Sequence, residues 1–324
     1  MAGALTSGPS TSLSRRLGAL ELEHPVLNGS GTFDAIAALR AFGPALRERF
    51  PFSAFVSKTI TLEPRSGNPP PRLWETPAGL INSIGLPNKG LEGFLAQDLP
   101  VLATLPVPLV VSVAGFTHEE FGLLVETVGA DERVAAIELN VSCPNVKSGC
   151  VMGAEPGETF PLVERLRPLT SKPLIVKLTP NATDVGAVAE AAERAGADAL
   201  SLINTLRSLA VDPGSGEPWL GAGSGGLSGP AIRSVALEQV HAVAARTNLP
   251  IVGMGGIRSG RDALDFLAVG ATAVAVGTEN FRDPAAGERV HHELAQLLSS
   301  RGAARVEESV DQTEGASKSA TIAG

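Results

Sequence analysis

Cysteine is scarce: Cys143 and Cys150 are the only two among 324 residues. Two thiols in so long a chain are no disulfide framework. Neither belongs to a CxxC pair or a Cys/His cluster, so four soft ligands for a structural zinc or an iron–sulfur cluster are missing. Long apolar runs are missing too, none reaching the ~18–20 residues that span a bilayer. No basic run and no interleaving of basic with aromatic residues occurs. With a net charge of −8, the chain has no general attraction for nucleic acid or an anionic membrane surface. An anionic ligand would have to be held by local donors against this field. Residues 1–16 are small and polar and lack the apolar stretch of a signal peptide. We expect a flexible N-terminus over 1–16, a single domain over 17–300, and a disordered tail rich in Ser, Thr, Ala and Glu over 301–324. The expected compartment is the cytoplasm.

What is present is the composition of an ordinary globular protein, 44% hydrophobic and 19% charged, enough for a core without staples. Length alone leaves one large or two small domains open. The chain alternates short apolar runs with longer helical patterns. The predicted strands are Pro25–Asn28, Ala54–Thr59, Pro108–Val113, Ala135–Val141, Leu174–Leu178, Ala199–Ile203, Ile251–Met254 and Ala273–Val276. They are bounded by Gly, Pro or Asn, as strands buried on both faces are. Helical stretches include Asp184–Ala195, with Asp184 as N-cap and Gly196 just past the C-cap, and Gly229–Arg246 and Arg261–Val269. Alternating β and α units argue for parallel strands with right-handed crossovers. Eight of them without a break predict a closed (β/α)₈ TIM barrel, a doubly wound open sheet being the alternative. Leu62–Leu91, rich in Pro, Gly and Asn, has no clear period and reads as a long insertion after the second strand.

Strand seven runs into Gly253-Met254-Gly255-Gly256-Ile257 and strand eight into Gly277-Thr278-Glu279. Loops at these two positions of a barrel commonly hold a phosphate, since glycine lets backbone N–H groups approach its oxygens. Gly225-Gly226-Leu227-Ser228-Gly229, just before a helix, either adds donors or is a flexible connector. Other strands end in polar residues: the second in Lys58, the fourth in Asn140, the fifth in Lys177, the sixth in Asn204 and Thr205. A lysine finishing an apolar strand either has an anionic partner or snorkels to solvent. Two of them at one rim favour a site for an electron-rich ring and a carboxylate. Cys143 follows strand four between Asn140 and Asn145, on a loop at the same rim. A thiol there can serve as nucleophile or base, although a lone cysteine is commonly inert packing. Cys150 reads as incidental.

Three stretches sharpen this picture: Asn140-Val141-Ser142-Cys143-Pro144-Asn145, the run Glu75 to Leu86 (ETPAGLINSIGL), and Asn204-Thr205-Leu206-Arg207. Together with Gly225–Pro230 and Gly255-Gly256-Ile257, they resemble the soluble, class 1 dihydroorotate dehydrogenases over about residues 15–295. Asn204–Arg207 and Gly67-Asn68-Pro69-Pro70-Pro71-Arg72 are most similar to the class 1B catalytic subunit. The resemblance implies flavin-dependent oxidation of dihydroorotate to orotate in pyrimidine biosynthesis, with FMN as cofactor and Cys143 as the catalytic base. It implies an FMN site at Ser30, Lys58, Thr59, Asn140, Lys177, Ile203, Gly229, Gly255, Gly256, Gly277 and Thr278. It implies an orotate site at Lys58, Asn82, Ser83, Ile84, Gly85, Leu86, Asn140, Asn145, Asn204 and Thr205. No metal site is implied. A homodimer, and a heterotetramer with an iron–sulfur FAD subunit that passes electrons to NAD, are carried over with it. Two residues depart from the class 1B pattern: Ser112 stands where an FMN-contacting Asn is usual, and Pro87 where Gln is frequent. Rival readings are a flavin barrel acting on another pyrimidine, as in dihydropyrimidine dehydrogenases, and a non-redox phosphate-binding barrel such as an aldolase or isomerase.

Overall fold

The computed structural model describes residues 13–142 and 152–300. Cys143, Asn145, Cys150, residues 1–12 and the expected tail lie outside them. A short antiparallel hairpin comes first, β1 (Arg15–Leu17) and β2 (Leu20–Leu22). Its first strand therefore begins two residues ahead of the expected boundary at 17. The chain continues through β3 (Val26–Asn28) and β4 (Phe55–Val56), then an excursion carrying β5 (Leu73–Thr76) and β6 (Gly79–Asn82). After β7 (Leu109–Val113), β8 (Ala136–Asn140), β9 (Leu174–Lys177) and β10 (Ala199–Leu202) comes a second excursion, β11 (Leu206–Ser208) and β12 (Gly225–Ser228). Last are β13 (Ile251–Met254) and β14 (Ala273–Val276).

Eight of these strands form one parallel sheet, in the order β3-β14-β13-β10-β9-β8-β7-β4. Read as a ring, this is chain order, the arrangement of a TIM barrel. The seam between β3 and β4 is closed partly by a side chain. Asn28, fully buried, donates from Nδ2 to the Val56 carbonyl at 2.8 Å and accepts from the Val56 N–H at 2.8 Å. An asparagine amide carries the same donor and acceptor as a peptide group, so it stands in for a missing rung of the ladder. The Ser53 N–H donates to the Val26 carbonyl just below it.

Helices follow most of the strands. Val185–Arg194 starts where Asp184 accepts from the Ala187 N–H at 2.9 Å, and Gly196 lies just past its C-cap at φ +95°. Gly260–Ala268 starts on a reciprocal cap between Ser259 and Asp262. The predicted helix Gly229–Arg246 is a 3₁₀ turn, Pro230–Ile232, running into Arg233–Ala244.

Alternation along the strands sorts the barrel into two layers. Outward residues such as Val111, Ile137, Leu139, Val176 and Leu200 pack beneath the helices. Inward ones such as Val110, Ala136, Ile175, Ala199, Val252 and Ala273 fill the lower interior together with Leu17, Leu20 and Leu22 of the hairpin. The hairpin thus plugs the amino end. One pleat higher, the inward positions turn polar: Ser112, Glu138, Asn140, Lys177 and Ser201, all buried.

The predicted second strand, Ala54–Thr59, is shorter than expected. The Ser57 N–H still bonds the Val110 carbonyl, and the Ile60 N–H bonds the Ser112 carbonyl. Three residue steps on one side thus face two on the other. The strand bulges there and Lys58 is re-aimed, a common use of bulges next to active sites. The unpatterned insertion contains the β5–β6 hairpin, which joins β12 and β11 in a four-stranded antiparallel sheet. Gly225–Ser228 is therefore a strand and no flexible connector.

Candidate active site

A cavity of ≈ 550 Å³ opens at the carboxyl rim of the barrel, a size suited to a cofactor with a small substrate. Each wall traces to a strand end or to the excursion sheet. β3 leads to Ser30, the β4 bulge to Lys58 and Thr59, β8 to Asn140, β9 to Lys177, and β10 to Ile203, Asn204 and Thr205. β13 leads to Gly255, and β14 to Gly277 and Thr278. The insertion contributes Asn82, Ile84, Gly85 and Leu86, and β12 contributes Ser228 and Gly229. Of the expected residues, Ser83 and Gly256 do not line the cavity. Ser83 accepts a hydrogen bond from Asn68 Nδ2 at 2.9 Å, and a Cβ on Gly256 would come within 2.8 Å of the Gly229 carbonyl oxygen. Cys143 and Asn145 lie outside the described residues.

Hydrogen bonds tie these groups to one another. Ser30 Oγ donates to the Ser57 carbonyl at 2.8 Å and lies 3.2 Å from Thr59 Oγ1. Asn140 Nδ2 donates to Thr59 Oγ1 at 3.3 Å. Thr278 Oγ1 donates to Ser228 Oγ at 2.9 Å, and Asn82 Nδ2 to the Gly226 carbonyl at 3.2 Å. The excursion sheet is thereby fastened to the loop after β14. Gly229 makes that approach possible. Its φ is +90°, and a Cβ there would come within 2.9 Å of Gly79 Cα.

The lining is one-sided in charge. Among the described residues its only ionisable ones are Lys58 and Lys177, with no Asp or Glu, in a chain of net charge −8. Lys58 faces the cavity; burial first, and then the charge of Lys177, hold its ammonium below the usual lysine range. Among the described residues no carboxylate forms an ion pair with it. Lys177 does have one: its Nζ stands 3.7 Å from Glu138 Oε1. Glu138 was given no role by the sequence reasoning. Its signal was there, a charge two residues before Asn140 and hence on the same, inward face of an apolar strand. Ser112, the departure from the class 1B pattern, does not line the cavity. It donates to Glu138 Oε1 at 3.0 Å and lies 2.9 Å from Thr59 Oγ1.

The donor set suits a phosphorylated ring cofactor with an anionic substrate. Lysines, amides and hydroxyls line it, with Ile203, Ile232 and Met254 as apolar faces. Gly277 leaves room at the end of β14, where an added Cβ would meet only Thr32 Cγ2, at 3.9 Å. Among the described residues no group of three or more His, Cys, Asp or Glu is placed to hold a metal ion. No helix among them is long and apolar enough to cross a membrane.

The family model described as dihydroorotate dehydrogenase matches residues 12–298. The chain belongs to the dihydroorotate dehydrogenase family. Membership makes it an oxidoreductase of pyrimidine biosynthesis and a flavoprotein, as the motifs implied. Its curated relatives cover nearly all of it. A protein of Trichlorobacter lovleyi is 43% identical over 307 residues, 94% of this chain and 99% of its own length. One of Desulforudis audaxviator is 47% identical over 292 residues, 90% of this chain and 94% of its own. One of Geobacter sp. (strain M21) is 45% identical over 287 residues, 88% and 93%. Each is named dihydroorotate dehydrogenase B (NAD(+)), catalytic subunit. The resemblance to class 1B is thus borne out across the whole barrel.

Proposed function

We propose that this chain oxidises dihydroorotate to orotate with FMN held in the rim cavity, and that Cys143 is the base. The observation that carries the reading is the lining itself: among the described residues, two lysines, three asparagines and a row of hydroxyls at a barrel's carboxyl rim, without an acid. FMN, when bound, supplies the acceptor for the hydride that leaves C6 of the substrate. The other half of the oxidation is loss of the C5 proton, which Cys143 in its thiolate form would accept. Asn204 supports this assignment, because it bonds Ser142, the residue that precedes Cys143 in the chain.

The remaining residues bind and orient. Lys58, Asn82, Asn140, Asn204 and Thr205, with the turn Ile84–Leu86, surround the planar substrate. Asn145 would complete the set. The flavin would lie against Ile203, with Ser30, Thr59 and Asn140 on its polar edge and Lys177 where negative charge develops on reduction. Its phosphate would take backbone N–H groups from Gly229, Gly255, Gly277 and Thr278, beside the 3₁₀ turn Thr278–Phe281. Holding the reactants in register can itself supply several kcal/mol of the barrier reduction.

The chain would work in the cytoplasm as a homodimer. The relatives' names call them catalytic subunits linked to NAD(+). No group of cluster ligands occurs among the described residues here. We therefore assign electron transfer to NAD to an iron–sulfur FAD subunit in a heterotetramer. The test is to purify the chain, load FMN and add orotate or uracil. The expected result is a yellow protein whose flavin spectrum is perturbed by orotate and not by uracil. A response to uracil alone would move the substrate to another pyrimidine, and a colourless protein that takes up no FMN would remove the flavin.

A further inference from the structure

Glu138 is the only buried acidic residue among the described residues. It sits inside the barrel on β8, with its side chain 4% exposed, and does not itself line the cavity. Its two oxygens are held from two sides. Ser112 of β7 donates to Oε1 at 3.0 Å, and Ser201 of β10 donates to Oε2 at 3.1 Å. Lys177 Nζ is 3.7 Å from Oε1. Burying a lone carboxylate is expensive, and so is burying a lone ammonium; a pair with its remaining valences bonded avoids most of both costs. The register fixes the geometry. Asn140 of β8 lies opposite Lys177 of β9, and Lys177 lies opposite Ser201 of β10. Glu138 thus stands one pleat below the cavity floor, under the lysine that forms part of it.

The two lysines of the cavity therefore differ. Lys58 brings a positive charge that no carboxylate among the described residues balances, whereas Lys177 brings a charge that Glu138 offsets from behind. We propose that Glu138 is the positioning residue of Lys177: it holds the ammonium at the cavity and neutralises it, and so keeps down the tendency of the bound flavin to accept electrons. This rests on the proposal above that a flavin occupies the cavity. Without the carboxylate, the full charge of Lys177 would act on the anionic reduced ring and favour it. Ser112, which occupies the place of a usual flavin-contacting asparagine, then has a different task, since its hydroxyl bonds the carboxylate.

The measurement is the midpoint potential of the FMN-loaded protein, titrated at equilibrium against dyes of known potential. Glu138→Gln keeps the shape and removes the charge: its amide oxygen can still accept from one of the two serines, while its NH₂ would donate to the hydroxyl oxygen of the other. The variant should favour the reduced flavin at least tenfold, about 30 mV more positive for a two-electron couple. Glu138→Asp, which keeps the charge, should stay within threefold of the native protein. In Glu138→Gln/Lys177→Met both charges are gone, and the equilibrium should return to within threefold of native. If Glu138→Gln alone does not fold, the double variant, which leaves no unpaired buried ion, is compared with Lys177→Met. The double should favour reduced flavin at least tenfold over that single variant. A yellow protein whose potential is unmoved by Glu138→Gln, or a double variant no different from Lys177→Met, overturns the proposal. A native chain that takes up no flavin overturns the reading of the cavity and the proposal with it.

Discussion

Asn204 donates from Nδ2 to Ser142 Oγ at 2.8 Å and lies 3.5 Å from Asn140 Oδ1. Residues 62 positions apart in sequence thereby join the loop after β10 to the segment that enters Cys143. If Cys143 is the base, this bond fixes where its loop leaves the barrel. Asn204→Ala should slow reduction of the flavin by dihydroorotate by on the order of 10–100-fold, since small misplacements of reacting groups carry penalties of that size. FMN content should be unchanged. Single-turnover kinetics beside a flavin assay would check both, and an unaltered rate would show that the bond does not serve catalysis.

Cys143→Ser should slow flavin reduction on the order of 10²–10⁴-fold, the usual contribution of a positioned base. Orotate affinity should hardly change. An unperturbed thiol ionises near ~8.5, so the native rate should climb with pH toward that value and the variant's should not. A flat native profile, with chemistry limiting the rate, would count against the thiolate.

Lys58 loses its proton at lower pH than an ordinary lysine, because burial and then Lys177 disfavour its charged form. A carboxylate ligand prefers the charged form. Orotate affinity should therefore fall as pH rises through the alkaline range, earlier than an ordinary lysine would allow. Lys58→Met should bind orotate ~10–100-fold more weakly, the size of a charge-assisted hydrogen bond, and its affinity should not vary over that range. Equilibrium titration of flavin fluorescence with orotate would read both.

A second titrating cluster lies outside the active site. His24 stacks on His291 with centroids 3.9 Å apart, and His291 is followed by His292 at 5.6 Å. Burial, then the charges of His291 and His292, push the pKa of His24 down to about 3 from 6.5. His291 is lowered too, by burial and His292, with Glu288 acting against the shift. The unfolded chain then binds more protons than the folded one between these values, so stability rises with pH there. This stability is complete above 6.5 and is lost as pH falls from 6.5 towards 3. For His24 the loss should reach on the order of 2–4 kcal/mol. Urea unfolding at about pH 7.5 and about pH 5 should show a larger drop for the native chain than for His24→Gln. Equal drops would remove His24 as the cause.

Much of the barrel was legible because strands buried on both faces leave short apolar runs that need no partner to be recognised. Ile251–Met254 and Ala273–Val276 match residue for residue. Ala54–Thr59 did not, since the bulge after Ser57 depends on what β7 offers alongside it. The excursion sheet was invisible for a related reason. β6 finds its partner β12 more than a hundred residues away, and glycines at Gly225 and Gly226 mask a strand that close packing against Asn82 and Thr205 requires. The polar strand ends Lys58, Asn140, Lys177 and Asn204 were readable from position alone. For Glu138 position gives only that it faces inward with Asn140; its role comes from three other strands meeting around it.

The most direct test is anaerobic stopped-flow mixing of the purified, FMN-loaded chain with dihydroorotate, following the oxidised flavin band. Bleaching of that band in a single turnover, with orotate as product and without any partner subunit or NAD, is the expected result. A yellow protein that does not bleach would contradict dihydroorotate as the substrate of this barrel.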